Sequence, residues 1–269
     1  MPANRVMLLW AAMLLARPAG ADELSEQFWA AARRGDAATV KALLAKGVDV
    51  NTKFRYGATA LSYAADRGHF EVVKVLLEQG ADANVRDTFY DATPLTWAAS
   101  KGQMDVVKML LEKGANGEEV LLSAVSLGRG ELVKMVLDLS TVSAETLSSC
   151  LAIATRNRRE EIAELLKKAG ATPLPEANFP VGVEILKSYE GLYRSERGME
   201  FRFAVKDGKL TGGPVGRNPG EMGAISNTSF RPADSPEETI TFHEQGGKVT
   251  GFTSRRGPIR FAFQKVEGK

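Results

Sequence analysis

The sequence predicts a multidomain α + β chain, in which an α-helical repeat array precedes a small antiparallel β-domain. Two observations lead to this fold class. A unit of 33 or 34 residues recurs through the first two-thirds of the chain. After Gly170 the helical spacing of apolar residues gives way to alternation of apolar and polar residues. The length of 269 residues, with 44% hydrophobic and 25% charged residues, suits one or two globular domains and excludes a disordered chain.

Residues 1–21 have the three regions of a secretory signal peptide. Arg5 supplies a positive charge, residues 6–16 form an apolar run, and residues 19–21 are small. The run is too short to span a bilayer, so we predict cleavage after Ala21 and a periplasmic or secreted protein; a retained anchor is the alternative. The segment holds two of the 35 basic residues and no acidic residue, so 33 basic residues then balance 33 acidic ones. This balance gives no reason to expect a nucleic-acid partner.

The repeated unit combines an alanine pair, a glycine, an apolar helix and a second glycine. Its fullest forms begin with Thr59–Ala65 and Thr93–Ala99, each followed by a glycine and a V-V-K-x-L-L run. Threonine suits a helix N-cap, and glycine tolerates the positive φ that ends a helix. Valine and leucine at this spacing line one buried helix face. Weaker units at residues 121–137 and 150–166 extend the array.

These motifs resemble the ankyrin repeat, whose signatures include T-P-L-H-x-A-A and G-A-D-V-N. The resemblance covers residues 22–172 and implies about five repeats, of which the last two lack the projecting β-hairpin finger. It also implies non-catalytic binding of a protein. The histidine of the family signature is Ser62 and Thr96 here, so its hydrogen bonds must be replaced or lost. Cys150 falls at a leucine position of the unit, which predicts a small buried core residue.

The resemblance implies that a partner binds at the finger tips and at the exposed end of the first helix of each pair. The candidate partner-binding residues are Arg34, Arg55, Tyr56, Arg67, Phe89, Tyr90, Lys101 and Arg156. Arginine and aromatic side chains often anchor interfaces, and we expect an acidic or mixed protein segment as the partner. The residues at the helix ends, Arg34, Arg67, Lys101 and Arg156, form what we call the basic ladder. For this ladder an alternative stays open, because the helix dipole alone favours basic residues at these positions.

The end of the chain predicts a linker at residues 173–188, which contain three prolines, and a β-domain at residues 189–269. Hairpin turns are predicted at Asp207-Gly208 and Gly246-Gly247. The pattern alone leaves a sandwich and a small barrel open. The motifs resemble the small lipocalin-like β-barrel appended to some secreted β-lactamase-fold peptidases, which implies a barrel. The phenylalanines expected in its core are Phe201, Phe203, Phe242, Phe252, Phe261 and Phe263.

No motif in the sequence predicts catalysis. His69 and His243 do not have metal-binding spacing, and the glycine-rich stretch 212–223 lacks a phosphate-binding motif and is predicted to be a long turn. We therefore expect no enzyme activity, no cofactor and no metal, and a role in protein–protein interaction. One alternative is a carrier whose barrel binds a small apolar ligand. The other is a regulatory subunit of an exported enzyme.

Overall fold

The computed structural model describes residues 19–266. The predicted signal peptide lies outside the described residues, except for its last three positions at the start of the first helix. Within the described residues, no helix has both the length and the apolar character needed to cross a membrane. The chain divides after Asn116 into two compact units.

Helices α1 to α10 form five successive pairs, which confirms the predicted helical repeat region. Their bounds are α1 Ala19–Arg34, α2 Ala37–Ala45, α3 Ala60–Arg67, α4 Phe70–Glu78, α5 Pro94–Lys101, α6 Met104–Glu112, α7 Glu118–Leu127, α8 Gly130–Leu139, α9 Ala144–Arg156 and α10 Glu160–Lys168. In the first unit α1, α3 and α5 pack side by side, and in the second unit α7 packs on α9. Each pair buries apolar residues at helical spacing, which stabilises the stack.

Two long connections in the first unit form the fingers. Residues 46–59 lead from α2 to α3, and residues 79–93 lead from α4 to α5. The connections before α7 and α9 are much shorter, at residues 113–117 and 140–143. The prediction that the last two repeats lack fingers is therefore confirmed.

Short hydroxyl side chains replace the family histidine at the start of α3 and α5. The Ser62 backbone N–H donates to Thr59 Oγ1, and the Thr59 N–H donates to Ser62 Oγ, both at 3.4 Å. At the start of α5, the Thr96 N–H donates to Thr93 Oγ1 at 3.2 Å. These side-chain caps satisfy N–H groups that would otherwise lack partners at the helix start.

The second unit contains a closed barrel of eight antiparallel strands. The strands are β1 Gly191–Arg194, β2 Glu200–Lys206, β3 Lys209–Pro214, β4 Gly220–Ala224, β5 Ser229–Pro232, β6 Thr239–Gln245, β7 Lys248–Arg256 and β8 Ile259–Lys265. Each strand pairs with the next, and β1 pairs with β8. Both predicted hairpin dipeptides are turns with positive φ, at 51° and 76° for Asp207-Gly208 and at 59° and 74° for Gly246-Gly247. The structure therefore confirms the predicted small antiparallel β-barrel.

The interior of the barrel is filled with aromatic side chains. Tyr193, Phe203 and Phe252 are fully buried, and the rings of Phe252 and Phe263 stack with centroids 4.4 Å apart. The prediction that Phe261 belongs to this core is wrong, because its side chain is 41% exposed. The alternation along β8 predicts the face of the sheet on which a residue lies, but not how deeply its side chain is buried. Phe261 lies nearer the β7–β8 turn than Phe263, toward the end of the barrel.

The structure adds detail to one further prediction and corrects another. The predicted linker, residues 173–188, includes helix α11 (Val183–Ser188), which buries Leu186 in the barrel core. The glycine-rich stretch is not one long turn, since Gly212 lies in β3 and Gly223 in β4. A Cβ on Gly212 would overlap the ring of Phe203, so glycine makes room there for the core.

Within the second unit, α9 and the barrel meet around a buried carboxylate. The Glu237 side chain is fully buried, and it accepts hydrogen bonds from Arg156 Nη1 at 2.8 Å and from Arg256 Nη2. Arg156 also donates to the backbone carbonyl of Asp234 at 3.0 Å. Two arginines thus hold one buried acid, the arrangement that makes a buried charge tolerable.

The β7–β8 turn packs against α7 and α9. Gly257 has a φ of +54°, and a Cβ there would lie 3.1 Å from Leu122 Cδ1 and 3.2 Å from Thr146 Oγ1. Beside it, Arg255 forms an ion pair with Glu145 of α9. These contacts explain why α7 to α10 and the barrel form one compact unit. We call this contact region the repeat–barrel junction.

Candidate partner-binding site

The finger tips present three exposed aromatic side chains in mutual contact. Tyr56, Phe89 and Tyr90 are 63%, 61% and 66% exposed. The ring centroids of Tyr56 and Phe89 lie 5.3 Å apart, and those of Phe89 and Tyr90 lie 4.5 Å apart. The Thr88 N–H donates to the Tyr56 carbonyl at 2.6 Å and ties one tip to the other. The sequence-predicted tip residues are therefore brought together into one cluster.

Left-handed backbone conformations shape both tips. Tyr56 and Gly57 have φ values of 58° and 69°, and Asp91 of the second finger has 57°. Asp91 stands where the first finger has Gly57, and aspartate tolerates this conformation better than most residues. Arg86 Nη1 donates to the Asp91 carbonyl at 2.6 Å and lies 3.8 Å from its carboxylate. The arginine thus supports the strained end of the longer finger.

Asp87 organises the second finger from within, a role that sequence reasoning missed. The residue is only 5% exposed. Its Oδ1 accepts hydrogen bonds from the N–H groups of Phe89 at 3.0 Å and Tyr90 at 2.6 Å. Its Oδ2 accepts one from the indole Nε1–H of Trp97 on α5 at 3.1 Å. One carboxylate therefore fixes the finger tip against the first helix of its own repeat.

Between the fingers and the helices lies a cavity of about 370 Å³, which we call the finger pocket. Its lining comprises Arg55, Tyr56, Ala58, Ser62, Tyr63, Asp66, Asp87, Phe89, Tyr90 and Trp97. Tyr63 and Trp97 were missed as site residues because they occupy equivalent positions of α3 and α5, which the repeat pattern assigns to helix packing. The signal that could have identified them is an aromatic residue directly before each alanine pair.

A second hollow extends the aromatic surface toward α1. The Trp29 ring lies 5.7 Å from Phe54 and 5.5 Å from Tyr63, measured between centroids. The Arg33 guanidinium lies 5.1 Å from the centre of the Trp29 ring, within cation–π distance. Together the two clusters form what we call the aromatic groove, which consists of Trp29, Phe54, Tyr56, Tyr63, Phe89, Tyr90 and Trp97.

The basic ladder is divided between different environments. Arg34 and Arg67 are exposed at the ends of α1 and α3. Lys101 at the end of α5 has its Nζ 3.8 Å from Asp66 Oδ1. Arg156 belongs to the second unit, where it binds Glu237 at the repeat–barrel junction. The exposed ladder positions of the first unit are therefore Arg34, Arg67 and Lys101, of which Lys101 lies close to Asp66, and Arg55 is exposed at the finger tip.

The histidine and cysteine positions of the repeats have structural roles. His69 Nε2 lies 3.2 Å from the Arg33 carbonyl oxygen, and its ring packs against Gly35. Cys150 is fully buried, as predicted, and burial raises the pKa of its thiol to about 12, with a smaller contribution from the charge of Glu118. Among residues 19–266 no group of three or more histidine, cysteine or acidic side chains could hold a metal ion.

Comparison with known proteins bears on the repeats. No curated protein matches this sequence. Residues 28–118, about a third of the chain, match the family model described as Ankyrin repeats (3 copies). The matched segment contains both fingers and the aromatic groove from Trp29 onward. This part of the chain is therefore an ankyrin-repeat region, and such repeats indicate a protein–protein interaction module.

Proposed function

We propose that the protein captures a partner protein through the aromatic groove, with the partner's acidic side chains placed on Arg34, Arg55 and Arg67. The observation that carries the proposal is the cluster of exposed aromatic side chains at the finger tips. Aromatic side chains of this kind, held in a group and rimmed by polar residues, mark interaction surfaces. Their position within ankyrin repeats supports a protein as the occupant.

Charge supports the choice of an acidic segment. Two acidic residues near the groove lie close to basic side chains, Asp66 at 3.8 Å from Lys101 and Asp91 at 3.8 Å from Arg86. Asp87 is buried and accepts hydrogen bonds from its own finger. Arg34, Arg55 and Arg67 are exposed, so they are available to pair with acidic side chains of a partner outside the finger pocket. Complementary charge of this type steers encounter and fixes orientation more than it adds affinity.

The setting that we propose is the periplasm or the outside of the cell, supported by the signal-peptide pattern of residues 1–21. Mass spectrometry of the protein recovered from its native host tests this proposal. We expect a mature chain that begins at Asp22. An intact Met1 in the recovered protein would instead support a retained anchor.

Photo-crosslinking in the native host provides the test of partner capture. A benzophenone amino acid at position 89 or 90 is expected to give a defined adduct, whereas the same group at Lys74, exposed on α4, is the matched control. The adduct protein is then identified, purified and titrated. Its identity distinguishes a scaffold from a regulatory subunit of an exported enzyme.

Charge reversal tests the predicted contacts with that purified partner. We expect Arg34→Glu with Arg67→Glu to weaken binding at least about tenfold and to slow association most at low salt. The control pair, Lys41→Glu with Lys74→Glu, carries the same charge change on the exposed faces of α2 and α4. Equal losses for both pairs would contradict the proposed surface.

The carrier alternative gains no support from the barrel. Its interior is occupied by rings such as Phe203 and Phe252, which are fully buried and in contact with centroids 5.2 Å apart. A ligand would have to displace these side chains at the cost of their packing. We therefore favour protein binding over ligand carriage.

A further inference from the structure

We propose that the finger pocket is a binding site for an alkylated ammonium group, such as a quaternary ammonium. This inference goes beyond capture of an acidic segment, because the pocket can bind a small cation without any partner protein. Three properties of the pocket carry it: the arrangement of its rings, its carboxylates and its size.

Four of the aromatic side chains that line the pocket follow one another, and each ring is inclined to the next rather than stacked flat on it. Tyr56 and Phe89 are inclined at 59°, Phe89 and Tyr90 at 79°, and Tyr90 and Trp97 at 81°. Rings inclined in this way present aromatic surface in several directions around the space that they line, an arrangement that we call the box. A weakly hydrated cation inside a box of this kind is attracted by the ring quadrupoles, and the attraction increases when water is excluded.

The carboxylates favour a positive occupant. Asp87 is only 5% exposed, and the donors described for its carboxylate are neutral, namely two backbone N–H groups and the indole of Trp97. These dipoles stabilise its negative charge, and because the carboxylate lines the pocket, it attracts a positive occupant. Asp66 is a second lining acid, and Lys101 offsets part of its charge at 3.8 Å.

Arg55 opposes a cation, because it also lines the pocket. Its side chain is exposed at the finger tip, where water and salt screen its charge more than that of buried Asp87. The two effects can be separated experimentally. Removal of the arginine charge should strengthen cation binding, although the same change should weaken capture of an acidic segment.

The volume fits a small occupant. A cavity of about 370 Å³ lies at the lower end of the range for small-molecule sites. It has room for one alkylated ammonium head group and the chain that carries it. The fixed finger, held by Asp87 and by the Thr88–Tyr56 hydrogen bond, keeps the box formed before the ligand arrives.

The decisive experiment compares a cation with its neutral isostere on the full-length protein. Choline and 3,3-dimethylbutan-1-ol have the same shape, and both are titrated by calorimetry while the indole N–H signal of Trp97 is followed by NMR. We expect choline to bind at least about tenfold more tightly than the alcohol. Equal binding of the two, or binding of neither, overturns the proposal and leaves partner capture untouched.

Variants assign the effect to this pocket. Tyr90→Leu removes a ring but keeps an apolar side chain, and it is expected to weaken choline binding about tenfold. Asp66→Asn should weaken binding severalfold, and Arg55→Gln should strengthen it. Phe70→Leu, an exposed aromatic residue on α4 outside the pocket lining, is the matched control and should leave the affinity unchanged. The same loss in the control variant would overturn the assignment.

The source of the ammonium group is settled by a second titration. A short peptide with one trimethyllysine is compared with free choline and with the unmodified lysine peptide. Preference for the trimethyllysine peptide identifies a modified side chain as the ligand, and preference for choline identifies a free small molecule. Tighter binding of the unmodified lysine peptide than of either methylated probe overturns the proposal, because it indicates charge alone.

Discussion

A single buried carboxylate determines the geometry of the candidate site. Asp87 accepts three hydrogen bonds, two within its finger and one from Trp97 of α5. We expect Asp87→Ala to lower the free energy of unfolding by about 2–4 kcal/mol, since buried donors lose a charged acceptor. Urea denaturation followed by circular dichroism measures this change.

The control for that prediction is Asp105→Ala, which removes an exposed acid from α6. Its effect is expected to stay within about 0.5 kcal/mol. If both variants unfold at the same urea concentration, Asp87 does not organise the finger. Choline titration of Asp87→Ala would then be the direct measure of whether the box survives without its support.

The buried thiol of Cys150 gives a prediction about pH. Because burial raises its pKa from about 9 to about 12, the folded protein should be alkylated by iodoacetamide at pH 8 roughly a thousandfold more slowly than the unfolded protein. The raised pKa also means that the unfolded state loses its proton first. This contribution to stability is present below pH 9 and declines as the pH rises from 9 toward 12. Fast alkylation of the native protein would contradict the prediction.

At the scale of elements, sequence periodicity predicted the repeated helix pairs. The features that it did not predict depend on contacts between residues far apart in the chain. The repeat period located the helix pairs, and the lengths of the connections located the fingers. Helix α11 was missed because its six residues, which follow a proline-containing stretch, are too few to show a helical pattern. Tyr56, Phe89 and Tyr90 were predicted at the site, whereas Asp87 and Trp97 were not. Their hydrogen bond joins a finger to a helix, and no local pattern encodes it.

An asparagine ladder joins each finger to the connection that precedes the next repeat. Asn84 Oδ1 accepts a hydrogen bond from the Asn116 N–H at 2.8 Å, and Asn84 Nδ2 donates to the Gly114 carbonyl at 3.2 Å. Asn51 makes the equivalent bonds one repeat earlier, to Asp82 and Gly80. The same side chain thus fixes the spacing of successive repeats.

We expect Asn84→Ala to destabilise the first unit by about 1–2 kcal/mol, because two hydrogen bonds between repeats are lost. Amide exchange at Asn116 should also become faster, since its N–H loses its acceptor. Gln79→Ala, an exposed position close by on the same finger, serves as the control. Equal exchange at Asn116 in the two variants would show that the ladder does not set the repeat spacing.

At the scale of the whole molecule, the change from helices to strands and the boundary between the two compact units fall at different places in the chain. Helical repeats end with α10 at Lys168, and strands begin at Gly191. The compact units nevertheless divide after Asn116, so α7 to α10 belong with the barrel. The repeat–barrel junction explains this difference, because Glu237 and Gly257 place barrel atoms against α7 and α9.

The junction predicts that α9 and the barrel lose protection together. Glu237→Ala leaves Arg156 and Arg256 without their shared acceptor, and we expect a loss of about 2–3 kcal/mol, less than for a fully buried pair because both arginines are more than a third exposed. Hydrogen exchange should accelerate both in α9 and in β6 and β7. Glu221→Ala breaks the exposed pair with Lys209 on the barrel wall and should change stability by less than about 1 kcal/mol. If Glu237→Ala accelerates exchange in the barrel strands alone, the helices and the barrel fold as separate bodies, and Arg156 becomes available again as a binding residue.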